Sequence, residues 1–189
     1  MKTFAFALCL ICTALFASPT HAVPTAESLA PLLSKASPAA ASASASTTKA
    51  TVVVFLSAQC PCSASHEPVL KALAEKYEGR GFRFLGVHSN LDEDAARSEK
   101  HFTEASLPFP VLQDPDARWA NTLGALKTPH VFLISAKGEI LFQGGVDDSH
   151  IAQVSKKHFL AEALEAVEQG KLPPVKQARA LGCVIARKL

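Results

Sequence analysis

An apolar run that ends at two cysteines limits what this chain can fold into more than any other feature. Residues 52–56 are β-branched, aromatic or aliphatic, which is typical of a buried strand. The run gives way to Cys60-Pro61-Cys62, and apolar residues then recur at helical spacing between positions 70 and 77. The pattern predicts a strand that leads into a helix, with both thiols at the start of that helix. The free N–H groups and the dipole of a first helical turn stabilise a thiolate.

Strand and helix patterns alternate over the rest of the middle of the chain. The early order of strand, helix and strand predicts a parallel pair joined by a right-handed crossover. A turn at Gly138 predicts that the last two strands form a hairpin. The strands are predicted at 51–57, 82–88, 109–112, 131–134 and 140–142, and the helices at 63–78, 92–105, 116–123 and 158–169. We therefore predict an α/β fold with a mixed central sheet flanked by helices.

The first residues predict export. Residues 1–22 contain one lysine, an apolar run and an end of small residues, which together are typical of a cleaved signal peptide. The apolar run is shorter than the ~20 residues of a membrane span, so we expect no span after cleavage and a periplasmic or extracellular location. Residues 23–49 predict a linker before the domain, in which 26–33 could form a short helix and the alanine- and serine-rich residues 34–49 predict a flexible segment. One domain at 50–170 and a tail at 171–189 are predicted to follow.

Three cysteines remain after this cleavage: Cys60, Cys62 and Cys183. In an oxidising compartment, their odd number indicates a reactive thiol or a metal ligand rather than a set of structural disulfides. An extended tail of this length reaches roughly 60 Å, which is enough to bring Cys183 back to the other two thiols. The net charge of +2 comes without an arginine-rich run or a basic patch, so no nucleic-acid partner is expected.

Two segments resemble the thioredoxin superfamily, and more narrowly its redoxin or AhpC/TSA-like branch. Residues 55–66 are similar to the active-site segment of that superfamily, and residues 127–132 are similar to its cis-proline segment. The resemblance covers residues 51–170. It implies a thioredoxin-like fold and an exported thiol–disulfide oxidoreductase. The implied partners are protein or small-molecule thiols and disulfides, together with an electron-donating redox partner.

The resemblance also implies a role for each thiol. Cys60 aligns with the nucleophile of the superfamily, whose second cysteine lies three residues later. Ser63 occupies that position here, so Cys62 and Cys183 are both candidates for the resolving thiol. A disulfide between Cys60 and Cys62 would close a small ring around Pro61, whose fixed φ should strain it. Such a bond is expected to be labile and oxidising.

Residues near the implied nucleophile are expected to support it. The resemblance implies a cis bond between Thr128 and Pro129, whose backbone groups would face a thiol or an extended peptide substrate. His130 follows directly and is expected near the site. His66 lies one helical turn after Cys62, from where it could lower the pKa of a thiol or donate a proton.

Other polar and aromatic residues are predicted to serve the fold. Phe102 and Trp119 are expected to lie in the core, each on a helix. The charged residues from Glu93 to Lys100 predict a solvated helix face with charge pairs. Asp147 follows two glycines and predicts a turn without a metal-binding role.

A thiol peroxidase of the peroxiredoxin kind, with an antioxidant role, is an alternative function. That family has a threonine or serine three residues before its cysteine, which Ser57 matches. It also has a proline seven residues before the cysteine, where this chain has Val53.

A metal-binding role is the other alternative. No cofactor is expected for the oxidoreductase, but Cys60, Cys62 and His66 form a C-x-C-x3-H pattern, to which Cys183 could add a fourth soft ligand. Thiolates favour Cu(I) or zinc, so copper or zinc is the ion expected in this case.

Overall fold

The computed structural model describes residues 24–35 and 48–188, so the predicted signal peptide lies outside the described residues. No helix within these two ranges has the length and apolar character needed to cross a membrane. The helices are α1 (Ala26–Leu33), α2 (Pro61–Tyr77), α3 (Ala95–Ala105), α4 (Arg118–Leu123) and α5 (Phe159–Glu168), with a short 3-10 helix at Ala152–Val154. The strands are β1 (Ala50–Phe55), β2 (Phe82–His88), β3 (Val111–Gln113), β4 (Lys127–Thr128), β5 (His130–Ser135), β6 (Ile140–Gly144) and β7 (Cys183–Val184).

Five strands form one mixed sheet in the order β3-β2-β1-β5-β6. Strand β1 lies in the middle, parallel to β2 and antiparallel to β5, and β5 pairs with β6 as the predicted hairpin. Every residue of β1 is buried, because the sheet is covered on both faces. Val52 and Val54 belong to one core cluster, whereas Val53 and Phe55 belong to the other. The predicted α/β fold with a mixed central sheet is therefore confirmed.

The short helix that the sequence allowed at residues 26–33 is present as α1, and it packs against the core, which the linker prediction did not include. Helix α1 begins after Thr25, whose hydroxyl accepts a hydrogen bond of 3.2 Å from the backbone N–H of Ser28. Leu29 and Leu32 are fully buried in the core cluster that also contains Phe55. Burial of each of these two leucine side chains contributes about 1.5–3 kcal/mol. This explains why such a short helix packs against the core. Residues 36–47 of the predicted linker lie outside the described residues.

Helix α3 begins later than predicted, and this changes the surroundings of Glu93. Asp94 caps the helix by accepting a hydrogen bond of 2.8 Å from the backbone N–H of Arg97. Glu93 therefore precedes the helix, and its side chain is only 4% exposed. The predicted solvated face is correct for Asp94, Arg97 and Lys100 but wrong for Glu93. Phe102 lies in the core as expected.

The C-terminal tail is part of the fold. It first follows the edge of β6, where Gln143 exchanges backbone hydrogen bonds of 3.0 and 2.9 Å with Lys176 and Ala178. It then pairs through β7 with β4, antiparallel, so that Cys183 lies opposite Thr128. Ile185, the residue that follows β7, has its side chain buried in the core. The tail thus returns a distant cysteine to the edge of the sheet where β1 ends.

Candidate active site

Three free thiols meet where β1 leads into α2. The sulfur atoms of Cys60, Cys62 and Cys183 all lie within 4.8 Å of one another. We call this group the three-thiol cluster. Cys60 is the N-cap residue of α2, and Cys62 lies in its first turn. Cys60 is buried, whereas the other two are half-buried and therefore accessible from solvent.

The pKa of Cys60 is lowered to about 7. Burial alone would raise it, but hydrogen bonds from the side chains of Cys183 and Thr128, and from the backbone at Ser63 and Cys183, outweigh that effect. The buried Thr128 hydroxyl has no other hydrogen-bond partner among the described residues, so it is available to a Cys60 thiolate. When it is protonated, the Cys60 thiol donates to the Thr128 carbonyl oxygen at 3.1 Å. A large share of Cys60 is therefore ionised at neutral pH.

The other two thiols keep their protons. Burial and the neighbouring charge of Cys60 raise the pKa of Cys62. Burial, a hydrogen bond to Cys60 and the charges of Cys60 and Cys62 raise the pKa of Cys183 to about 12. The cluster thus holds one thiolate at neutral pH, and Cys183 is the thiol that donates a hydrogen bond to it.

A close approach between Gly182 and Thr128 holds the tail against the site. Gly182 has a φ of +152°, in a region that favours glycine. A Cβ atom at this position would overlap the carbonyl oxygen of Thr128 and lie 2.7 Å from its carbonyl carbon. The peptide bond between Thr128 and Pro129 is cis, as the resemblance implied. The β4 edge that was expected to face a peptide substrate is thus occupied by the tail.

His66 lies behind the first turn of α2 rather than among the thiols. It is buried, with Nδ1 2.7 Å from the carbonyl oxygen of Cys62 and Nε2 3.1 Å from Oδ1 of Asp147. The carbonyl oxygen and the carboxylate are both hydrogen-bond acceptors, so each ring nitrogen faces a group that takes a proton donor. Neither ring nitrogen is free to bind a metal ion. Asp147, which the sequence indicated only as a turn residue, is the partner that fixes this ring.

His150 contacts the cluster, although no sequence pattern had indicated it. Its Nδ1 lies 3.6 Å from the sulfur of Cys62. The loop that carries it is tied to α2, because Ser65 accepts a hydrogen bond of 2.9 Å from the backbone N–H of Ala152. A contact between residues 88 positions apart follows from the docking of this loop and from no local pattern.

His130 is the first residue of β5, and its side chain contacts its own strand and the residue before β4. Its Nδ1 accepts a hydrogen bond of 3.3 Å from the backbone N–H of Leu126, and its ring packs against Phe132 at 4.6 Å between centroids. Burial lowers the pKa of His130 to about 4, so the ring is neutral at physiological pH. Its supporting role in the chemistry stays a prediction.

A buried carboxylate fixes the loop that precedes Cys60. Glu93 accepts hydrogen bonds from the Ser57 hydroxyl, the Ala58 backbone N–H at 2.9 Å, the Asn90 amide at 2.8 Å and His88 Nε2 at 3.0 Å. Burial would raise the pKa of Glu93, but the hydrogen bonds from Ser57 and His88 and the charge of His88 lower it. All four lone-pair positions of this carboxylate are thus occupied by donors. Asp94, a residue type that commonly caps helices, was the sequence signal that could have placed Glu93 before α3 and apart from its solvated face.

An open groove of about 510 Å³ lies between this loop and α3. Gln59, next to Cys60, lines one side, and Arg97, Lys100 and His101 of α3 line the other together with acidic residues. The groove gives solutes a route to the residues that precede Cys60.

Solved structures with the same fold include two bacterial proteins without an assigned role. An uncharacterised conserved protein from Geobacillus kaustophilus is 27% identical with a TM-score of 0.69, covering 75% of this chain and 79% of that chain. A hypothetical protein from Sinorhizobium meliloti 1021 is 26% identical with a TM-score of 0.68, covering 75% and 81%. A thioredoxin-like protein in its oxidised form is 17% identical with a TM-score of 0.55, covering 65% and 80%. No curated protein matches this chain.

The Redoxin family model matches residues 19–157. The match spans most of the chain and includes Cys60, Cys62 and the cis-proline segment, but it ends before the tail that carries Cys183. The segment with Cys60 and the cis-proline segment thus lie within the family match, whereas the tail lies outside it. The chain belongs to the redoxin family and is a thioredoxin-fold oxidoreductase.

Proposed function

We propose that the protein is an exported thiol–disulfide oxidoreductase in which Cys60 is the nucleophile and Cys183 is the resolving thiol. The observation that carries this proposal is the hydrogen bond from the Cys183 thiol to Cys60, whose pKa is about 7. A thiolate is the reactive form of cysteine, and the best attacking thiol has a pKa close to the ambient pH. Cys60 meets both conditions at the start of α2.

In the first step, the Cys60 thiolate attacks one sulfur of a substrate disulfide. A bond forms between Cys60 and that sulfur, and the substrate S–S bond breaks. The second substrate sulfur leaves as a thiolate and takes a proton from solvent. The product is a mixed disulfide between Cys60 and the substrate.

In the second step, Cys183 attacks the sulfur of Cys60. The mixed disulfide removes the negative charge of Cys60, which is one of the causes that raise the pKa of Cys183. The proton of Cys183 passes to the departing substrate thiolate, and a Cys60–Cys183 disulfide remains. An external dithiol, the electron-donating redox partner, then reduces this disulfide in two further exchanges.

Two features favour Cys183 over Cys62 as the resolving thiol. Cys183 comes from a separate strand, so a bond to Cys60 closes no small ring. A Cys60–Cys62 bond would close a short ring around Pro61, whose φ is fixed. Among the hydrogen bonds that lower the pKa of Cys60, the one from the side chain of Cys183 also has the largest effect.

The docked tail also bears on the substrate. Because Cys183 is paired with Thr128, an extended peptide cannot pair with the same edge of β4 unless β7 leaves it. We therefore propose small-molecule disulfides, and protein disulfides on exposed loops, as the substrates. Cys62 and Cys183 are half-buried, so substrates of these two kinds would approach the cluster from their side.

Trapping tests the proposed order of steps. The reduced protein and its Cys183→Ser and Cys62→Ser variants are mixed with hydroxyethyl disulfide, quenched with acid and weighed by mass spectrometry. We expect the mixed disulfide on Cys60 to accumulate in Cys183→Ser, and to be resolved quickly in Cys62→Ser and in the wild type. Accumulation in Cys62→Ser alone would assign the resolving role to Cys62.

We further propose export, which the composition of residues 1–22 supports. N-terminal sequencing of the protein recovered from cell fractions tests this. We expect a chain that begins after Ala22 in the periplasmic or extracellular fraction. A full-length chain in the cytosolic fraction would contradict export.

A further inference from the structure

The three-thiol cluster has the spacing of a metal site. Each sulfur of a thiolate site lies about 2.3 Å from a central metal ion, which puts sulfurs in a trigonal plane about 4 Å apart. The sulfurs of Cys60, Cys62 and Cys183 already lie within 4.8 Å of one another while all three are free thiols. Only small side-chain rotations separate this arrangement from a closed three-sulfur site.

The donor set distinguishes between candidate ions. Among the described residues, the group of donors within 4.8 Å of one another consists of these three thiols and no histidine. His150 approaches Cys62 alone, at 3.6 Å, and both ring nitrogens of His66 are engaged elsewhere. Structural zinc sites almost always have four ligands, whereas soft thiolates also suit Cu(I). Three sulfurs without a fourth donor therefore favour Cu(I) over zinc.

We propose that the reduced protein binds one Cu(I) ion through Cys60, Cys62 and Cys183. Three Cu–S bonds form as the protons of the thiols leave to solvent, and the oxidation state of copper and of sulfur does not change. This goes beyond the proposed disulfide chemistry. It also excludes that chemistry while copper is bound, because the same sulfurs cannot form a disulfide and three metal bonds together.

The fold prepares the third ligand in advance. Cys183 is held opposite Thr128 by the β4–β7 pairing, and the close approach of Gly182 fixes the backbone beside it. The buried ligand, Cys60, has its sulfur beneath the two half-buried ones. Binding thus needs little reorganisation of the chain, and the bound ion is partly shielded from water.

Copper competition tests the proposal. The reduced protein, kept without oxygen in a thiol-free reductant, is titrated with Cu(I) held by a coloured bidentate chelator. We expect one equivalent of copper to move to the wild type. Each of Cys60→Ser, Cys62→Ser and Cys183→Ser should lower the affinity by about 100-fold or more, since loss of an outer-shell partner alone costs about 10–100-fold. Circular dichroism checks that each variant is folded.

His150→Ala is the matched control, and it should retain the wild-type affinity for copper. An equal loss in His150→Ala and in the cysteine variants would overturn the three-sulfur assignment. So would wild-type affinity in Cys183→Ser, or failure of the wild type to take copper from the chelator. A parallel titration with zinc that gives tighter one-to-one binding than copper would overturn the choice of ion. The trapping experiment without metal reports on the disulfide chemistry separately.

Discussion

The two cysteines at the start of α2 and the cysteine of the tail reach the same cluster by different routes. Cys60 and Cys62 owe their place to local structure, because β1 ends and Pro61 opens the next helix within a few residues. Cys183 owes its place to tertiary packing, through the pairing of β7 with β4 and the contact of Gly182. The local segment supplies the reactive sulfur, and the distant segment supplies its hydrogen-bond donor.

The difference also appears in protonation. The pKa of Cys60 is lowered to about 7, whereas that of Cys183 is raised to about 12. Both sulfurs are penalised by burial, so the contrast comes from the direction of the hydrogen bond between them. The local thiol accepts this bond as a thiolate, and the distant thiol donates it.

The largest effect on activity is expected when the reactive thiol of the local segment, Cys60, is removed. Cys60→Ser lacks the attacking thiolate and should lower catalysed reduction of hydroxyethyl disulfide by about 1,000-fold or more. Cys62→Ser should reduce the rate much less, because this thiol is neither the proposed nucleophile nor the proposed resolving group. Coupled turnover with dithiothreitol measures both. A Cys60→Ser variant as active as the wild type would remove Cys60 from the mechanism.

Displacement of the tail is expected to have the next largest effect. Gly182→Ala forces a Cβ against the Thr128 carbonyl, so the tail must shift, at a cost of about 2–3 kcal/mol in the free energy of unfolding. The matched control is Gly170→Ala, which has a φ of +74° but no atom within 4 Å of the new Cβ. Urea unfolding compares the two variants. Equal losses would show that backbone strain, and not the contact with Thr128, sets the cost.

The loop before Cys60 can be weakened without touching the tail. Glu93→Gln replaces one carboxylate oxygen by an amide group that cannot accept hydrogen bonds, although four donors point at this side chain. The change should cost about 1–2 kcal/mol in the free energy of unfolding. Glu99→Gln, on the exposed face of α3, is the control and should cost little.

Lowering the pH should reduce the difference in the free energy of unfolding between the wild type and Glu93→Gln. Because the pKa of Glu93 is lowered in the folded state, its carboxylate stabilises the wild type fully above the ordinary pKa of glutamate. That contribution is lost as the pH falls through the lowered value, so the wild type and Glu93→Gln should converge in strong acid. A stability difference that does not change with pH would contradict the account of this carboxylate.

The smallest predicted effect concerns protonation. Cys183→Ala removes the thiol that donates to Cys60 but keeps the backbone N–H at position 183. The pKa of Cys60 should therefore rise above about 7, and its alkylation should begin at higher pH. Rates of iodoacetamide modification between pH 5 and 9, which span about two units either side of that midpoint, measure the shift in a Cys62→Ser background. An unchanged profile would show that the tail does not tune Cys60.

Sequence patterns were sufficient for the features that depend on neighbours in the chain. The apolar run of β1, the start of α2 near Cys60 and the hairpin after the cis-proline segment all follow local periodicity and turn signals. The resemblance to known active sites added the cis bond at Pro129.

Sequence patterns failed where burial of a polar group depends on distant partners. Charged residues are almost never fully buried unless they are paired, so Glu93 and Asp147 were expected to be exposed or in a turn. Their partners, His88 and His66, become neighbours only after the sheet and the loop after β6 are assembled. Helix α1 was missed as part of the core because the apolar cluster that buries Leu29 and Leu32 also forms only between segments that are distant in the sequence.

Disulfide mapping tests the central claim most directly. The purified protein is oxidised, its remaining thiols are alkylated, and it is digested without reduction before mass spectrometry. The account predicts a peptide pair that joins Cys60 to Cys183, with Cys62 alkylated. A peptide in which Cys60 is joined to Cys62, with Cys183 alkylated, would contradict it.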